Sequence, residues 1–188
     1  MLSPSALREA IVIRSAAVSA ALAAAILWTV AAVAEPLPGQ RERAEAGDVR
    51  AQYALAVIYD TGTGVPIDYQ QGLKWFRLSA EGGYAPAQAK LGLMYLYGWA
   101  VRPDAARAAS LYEAAARQGE LRAQAQIATM YALGWGVPKD PVKAYVWTAI
   151  AAKAGDAQSE WRQPRWAKRL TADQLAGAET IIAAGRTP

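Results

Sequence analysis

The stretch AQAQIATMYALGWGVPKDPVKAYVWTAIAAKAG, from Ala123 to Gly155, decides how this chain folds, because its landmarks occur twice more upstream at one fixed offset. Ala123-Gln124 repeats Ala87-Gln88 and Ala51-Gln52, and Tyr131 repeats Tyr95 and Tyr59. Gly134, Val137 and Asp140 likewise repeat Gly98, Val101 and Asp104, and before them Gly62, Val65 and Asp68. Two further columns run through four copies: Ala44, Ala80, Ala116 and Ala152, then Gly47, Gly83, Gly119 and Gly155. The spacing is 36 residues throughout, with no gap. Periods of this size mark arrays of small supersecondary units.

Each unit reads as two helices. Ala51, Leu55, Ile58 and Tyr59 fall at i, i+4, i+7 and i+8, one stripe of a helix. In the second helix Gly72, Trp75, Phe76, Ser79 and Ala80 make another stripe, and Ala144, Trp147, Thr148, Ala151 and Ala152 repeat it. Small residues alternate there with one bulky residue, so two helices can approach closely around an aromatic wedge. Gly62, Gly98 and Gly134 stand where a helix end needs a left-handed residue. Asp68, Asp104 and Asp140 then stand as N-caps, with Pro141 suited to a first helical position. A lone pair of such helices cannot bury its apolar stripe, so neighbouring pairs must stack. The expected fold is all-α, a right-handed solenoid of antiparallel helix pairs: about three units over residues 41–158, with capping helices over 159–188.

The ends depart from the pattern. Arg41 to Ala46 reads as the tail of a truncated second helix. Pro164 is expected to break or kink the helix that begins near residue 156. Thr171 and Gln174 form a capping box that opens a last helix running to about Ala184. The second unit carries Ala100 for the usual Gly and Arg102 for Pro66 or Pro138, which predicts a looser turn.

Residues 1–34 read as an address. Arg8 and Arg14 precede a charge-free run, Ser15 to Ala34, that ends in the small-x-small pattern Ala32-Val33-Ala34. A cleaved secretory signal would leave Glu35 as the mature N-terminus, followed by a linker over 35–40. An uncleaved single-pass anchor is the alternative, since twenty uncharged residues can just span a bilayer. Either places the folded part outside the cytoplasm, in the periplasm or secreted.

Composition narrows the chemistry. The chain of 188 residues is 54% apolar and 19% charged, which excludes a disordered chain. It holds no His and no Cys, so it has no His-dependent triad, imidazole metal ligand, thiol nucleophile or disulfide. Without Arg8, Arg14 and Glu9 the rest carries 18 bases and 15 acids, a net +3 with the signs interspersed. That is a solvated surface rather than a phosphate-binding stripe, so nucleic acid is not an expected partner. Nothing calls for a catalytic residue, a metal or a cofactor.

The joint pattern A-Q-x-x-[LI]-[AG]-x-x-Y-x-x-G-x-[GA]-V-x-x-D-x-x-x-[GA]-x-x-[WL]…A-x-x-G resembles the Sel1-like repeat, a relative of the tetratricopeptide repeat. The resemblance implies a binding scaffold, an adaptor in signalling or in envelope processes. One secreted branch of that family is Cys-rich and linked to β-lactam binding or hydrolysis, and this chain departs from it in lacking every Cys. The reading is an exported scaffold for a protein or peptide partner. The alternatives are a membrane-anchored adaptor and a cell-wall or β-lactam-related binder or hydrolase.

Candidate contact residues follow from position. Trp99 and Trp135 lie in loops off both core stripes, where the first unit has Thr63; each either meets a partner, as Trp does at binding hot spots, or tucks back over its own helix pair. The opposite face of the first helices carries Tyr53, Val57 and Asp60, then Ala89, Leu93 and Leu96, then Ala125, Thr129 and Ala132. This stripe either lines a shallow, mostly apolar groove or packs on the next unit; Tyr53, Asp60, Leu93 and Thr129 are its candidates for partner contact. Asp60 reads as an unpaired acid at a solvent-facing helix end. Trp75 and Trp147 read as core, and Trp161 and Trp166 as residues that close it at the cap.

Overall fold

The computed structural model describes residues 39–188, so the leader assigned to residues 1–34 lies outside the described residues. Helix α1 spans Gln40–Glu45. The three units follow as α2 (Val49–Thr61) with α3 (Tyr69–Glu81), α4 (Ala85–Tyr97) with α5 (Ala105–Arg117), and α6 (Leu121–Leu133) with α7 (Pro141–Lys153). Helices α8 (Ala157–Ala167) and α9 (Ala172–Ala183) complete the described chain, which contains no strand. From α1 to α8 each helix packs on its sequence neighbour, and α9 folds back onto α7. This is the expected solenoid of helix pairs.

The turns obey the local chemistry read from the sequence. Asp68 accepts from Gln70 N and Gln71 N, Asp104 from Arg107 N, and Asp140 from Lys143 N. Gly62, Gly98 and Gly134 end the first helices at φ of 72°, 73° and 73°, the left-handed region that glycine enters without a side-chain penalty. The second turn is not looser. Asp104 N donates to Tyr95 O at 2.9 Å, the same distance at which Asp68 N meets Tyr59 O and Asp140 N meets Tyr131 O. Ala100 holds this shape by adopting φ 58°, a left-handed conformation that costs a residue with a Cβ about 1–2 kcal/mol.

The repeated glutamine has a structural role that its column alone does not disclose. Nε2 of Gln52, Gln88 and Gln124 donates to the carbonyl oxygen of Ala44, Ala80 and Ala116, at 3.0, 3.3 and 3.2 Å. Each bond runs from the first helix of one unit to the last turn of the helix before it, where carbonyls lack an intrahelical donor. The alanines at these ends are buried, so the seams are tight as well as bonded.

One continuous core runs through the units, with Leu55, Phe76, Met94, Tyr112, Ile127, Met130 and Trp147 essentially sealed from solvent. Trp75 is buried too. A second cluster under α9 joins Ala178 to Tyr145 and Val146, with Leu175, Ile181 and Ile182 against it. The Thr171–Gln174 capping box opens α9.

Two expectations at the cap need correction. Pro164 does not break α8, which continues to Ala167. The bond it forfeits is to the carbonyl of Glu160, an exposed residue, so water can replace the missing donor. Trp166 is half-buried against both clusters, but Trp161 is 62% exposed, with the Arg165 guanidinium over its ring. Trp161 stands 36 residues after Ala125, on the open face of the first helices, and therefore does not close the core.

Candidate functional site

Two cavities adjoin at Lys90, and the cause of the first lies in the departures of the second unit. Gly136 rests on the first turn of α5, so close that a Cβ on it would meet the Ala105 carbonyl oxygen at 2.1 Å. One unit earlier the equivalent pair is Ala100 and Tyr69, a methyl facing a bulky ring. There Gln70 Nε2 reaches the Ala100 carbonyl at 3.4 Å, and a pocket of about 560 Å³ lies between Asp60, Tyr69, Lys90, Met94, Gly98, Trp99 and Ala100. Asp60 also stands where the next unit places the buried Leu96, which removes a second apolar filler.

Lys90 organises this pocket. Its ammonium lies 2.9 Å from Asp60 Oδ2, with the two side chains 24% and 22% exposed. Asp60 is thus paired and largely buried, not the free acid its sequence position suggests. A pair so placed is screened less than a surface one. The same ammonium lies 5.6 Å from the ring centroids of both Phe76 and Trp99, a cation–π distance. Trp99 is 50% exposed and stacks on Tyr97 with centroids 5.7 Å apart.

The second cavity, of about 530 Å³, lies along the first helices and is lined by Tyr53, Ala89, Lys90, Leu93, Arg122 and Ala125, among others. Tyr53 meets Phe76 and Tyr84 edge-on at 5.6 and 5.4 Å, which fixes its ring at one end. Burial pushes the Tyr53 hydroxyl above the usual phenol range, with the Tyr84 hydroxyl adding to the effect. The groove is less apolar than the stripe implies, because Glu120, Gln126, Asp156 and Gln158 also line it. Both readings of the stripe hold in part: Leu96 and Ala132 are buried against neighbours, while Tyr53, Ala89, Leu93 and Ala125 face the groove.

Four of the six residues singled out from the sequence therefore come together, Trp99 and Asp60 in one cavity and Tyr53 and Leu93 in the other. Thr129 and Trp135 line neither. Thr129 accepts from Arg162 Nη1 at 3.4 Å, and Trp135 is 41% exposed beside the exposed Leu133. Trp99 N and Trp135 N donate to Met94 O and Met130 O at 3.0 and 2.9 Å, so equivalent turns carry both indoles along the same edge. The residue the sequence reading missed is Lys90. Its signal lies at an offset of 30, not 36, because a first helix touches its successor six positions short of the repeat; Asp60 and Lys90 are read together only at that offset.

No helix among the described residues is long and apolar enough to cross a membrane, and none of their His, Cys, Asp or Glu side chains cluster as a metal site would. Comparison with known proteins places the array. The Sel1 repeat matches residues 49–84, 85–120 and 121–156, more than half of the chain and in register with the three helix pairs.

The chain belongs to the Sel1 repeat family.

Among solved structures it is similar to a Sel1 repeat protein of Oxalobacter formigenes, at 38% identity and TM-score 0.65, over 68% of this chain and 96% of that one. It is also similar to a protective antigen of uropathogenic Escherichia coli with an SLR fold, at 36% identity and TM-score 0.63, over 67% of this chain and 27% of that larger one. Cysteine-rich protein B of Helicobacter pylori shares the fold at 18% identity and TM-score 0.52, over 64% of this chain and 91% of that one. No curated protein matches the chain. Sel1 repeat chains are in general protein-interaction scaffolds, which is the class this one falls into.

Proposed function

We propose that this Sel1 repeat chain is an exported scaffold that holds a peptide segment of a partner protein along the first helices, from the Trp99 pocket to the Tyr53–Leu93 groove. The observation that carries the reading is that Lys90 lines both cavities, which makes one surface of two pockets. An aromatic anchor fits beside Trp99 and Tyr97, and the extended remainder fits over Ala89, Leu93 and Ala125. Exposed indoles of this kind supply large contact area with few rotors to freeze. Export, to the periplasm or beyond, rests on the leader pattern in residues 1–34. Binding is favoured over catalysis because Asp60 and Lys90, the charged groups of the first pocket, are engaged with each other.

A photo-crosslinking residue placed at Leu93 in the cell should capture one discrete partner, and the Trp99→Ala change should weaken that capture at least about tenfold with thermal unfolding nearly unchanged. The captured chain should begin at Glu35 by mass spectrometry. Recovery only as a full-length membrane species would replace the free scaffold with an anchored one. Capture that survives loss of Trp99 would remove the Trp99 pocket from the site and confine it to the Leu93 groove.

A further inference from the structure

The three units treat one repeated tyrosine hydroxyl in three ways. The positions 18 before and 12 after Tyr59, Tyr95 and Tyr131 differ from seam to seam. At the first seam these are Arg41 and Gln71, and Arg41 Nη2 donates to Tyr59 at 2.7 Å. At the third they are Glu113 and Lys143. There Tyr131 donates to Glu113 Oε2 at 3.2 Å, Lys143 lies 4.9 Å from its ring centroid, and Arg117 pairs with Glu113 at 2.7 Å. At that seam the cations have a carboxylate among them.

The second seam is different. Its two positions are Arg77 and Arg107: Arg107 Nη1 donates to the Tyr95 hydroxyl at 3.0 Å, and Arg77 lines the cleft beside it. Burial alone would push that hydroxyl up, but the two guanidiniums more than offset it and leave it below the usual phenol range. Arg102, standing where the other units have proline, adds a third guanidinium on the adjacent loop. Among the described residues none of these arginines has a carboxylate within ion-pair distance. Asp104 faces the same cleft, but its carboxylate caps the α5 N-terminus through Arg107 N. Glu81 also lines the cleft, one turn along α3 from Arg77, without pairing with it.

Around this cluster two clefts of about 570 and 510 Å³ share Arg77, Tyr95 and Arg107. One runs past Leu91, Ser110 and Leu111, and the other past Leu73 and Val101. They lie between the second helices α3 and α5 over Leu91 and Tyr95 of α4, and one of them meets the Trp99 pocket at Ala100.

We infer that this arginine-lined cleft between α3 and α5 binds an acidic segment of a partner protein, with side-chain carboxylates on Arg77, Arg102 and Arg107. The guanidinium fork matches a carboxylate in a bidentate way that an ammonium cannot. Arg77 and Arg107 stand where the two clefts join and Arg102 lies farther along one of them, which offers carboxylates strung on a chain more than one guanidinium to meet. The leucine and valine walls suit the methylene stems of such side chains better than a bare, hydrated ion. The inference rests on the scaffold reading, but its arginines line neither the Trp99 pocket nor the Leu93 groove, so its failure leaves the Leu93 capture experiment untouched.

The test uses the folded chain and a fluorescein-labelled octaglutamate, with octaglutamine as the neutral control and fluorescence anisotropy as the readout. The double variant Arg77→Glu with Arg107→Lys rebuilds the second seam with the pair found at the third, so the fold has a native precedent for it. Arg50→Glu, an exposed change on α2, alters net charge by the same amount away from the cleft. The expected result is octaglutamate binding that the double variant weakens at least tenfold and Arg50→Glu less than about twofold. Equal losses in the two variants, or no preference over octaglutamine, would overturn the inference. So would arginine-dependent capture of phosphatidylglycerol vesicles in place of octaglutamate, which would give the cleft to lipid phosphate.

Discussion

A Cβ placed on Gly136 would stand 2.1 Å from the carbonyl oxygen of Ala105, so the loop of the third unit lies directly on the backbone of the second. Its equivalent one unit earlier, Ala100, carries that Cβ and fronts a pocket instead. Position in the repeat is shared; the fit at the seam is not.

Gly136→Ala is therefore expected to be severe. It adds left-handed strain, at φ +71°, to a clash with backbone that no rotamer relieves. The cost should be about 2–5 kcal/mol by urea denaturation. Ala100→Gly should instead be neutral or stabilise by up to about 1 kcal/mol, because relief of strain is partly offset by the freedom glycine gains when unfolded. A tolerated Gly136→Ala would show that the loop can lift off α5.

Trp147 has no solvent exposure, and its indole nitrogen has no hydrogen-bond partner among the described residues. Trp147→Ala should cost about 3–5 kcal/mol, as large core truncations do. Trp147→Phe should cost markedly less, since it keeps a ring and removes a buried donor without an acceptor. Asp140→Ala, the loss of a cap, should cost only about 0.5–2 kcal/mol. Chemical denaturation of the three variants orders them, and an Asp140 change as damaging as Trp147→Ala would disprove the capping role.

Alkaline pH should weaken the fold through Tyr112. Burial pushes its hydroxyl up to about 12, against an ordinary phenol value near 10, so the folded state holds the proton more tightly than the unfolded one. The stability is whole below pH 10 and declines as pH rises toward 12, by on the order of 2–3 kcal/mol. Tyr112→Phe should flatten that decline while leaving stability at pH 7 nearly unchanged, since the hydroxyl makes no hydrogen bond in the core. Urea midpoints at pH 8 and pH 11 measure the difference. An unchanged slope in the variant would assign the alkaline loss to other tyrosines.

The fold was legible because a solenoid writes its contacts into columns. Tyr, Gly, Val and Asp each recur at 36, and each column has one local cause: a cap, a left-handed turn or a core stripe. The site was legible only in part, since its chemistry comes from where columns differ. Asp60 among Leu96 and Ala132, Ala100 among glycines and Arg77 opposite Glu113 are single departures. Each acquires meaning only when read against its spatial neighbour, 30, 31 or 18 residues away. The exposed Trp161 misled for the same reason: its column belongs with Ala125 and Tyr53 on the open face, not with the cap.

The glutamine bonds that tie Gln88 to Ala80 and Gln124 to Ala116 make each junction interchangeable with the next. A gene could therefore lose residues 85–120 in one step and still encode a foldable chain, with Gln124 arriving in phase at Ala80. What it would lose is chemistry. Asp60 would meet Gln126 in place of Lys90, and Arg77 would meet Tyr131 and Lys143 in place of Tyr95 and Arg107. Such an array can change its length without relearning how to fold, but recognition is inherited junction by junction.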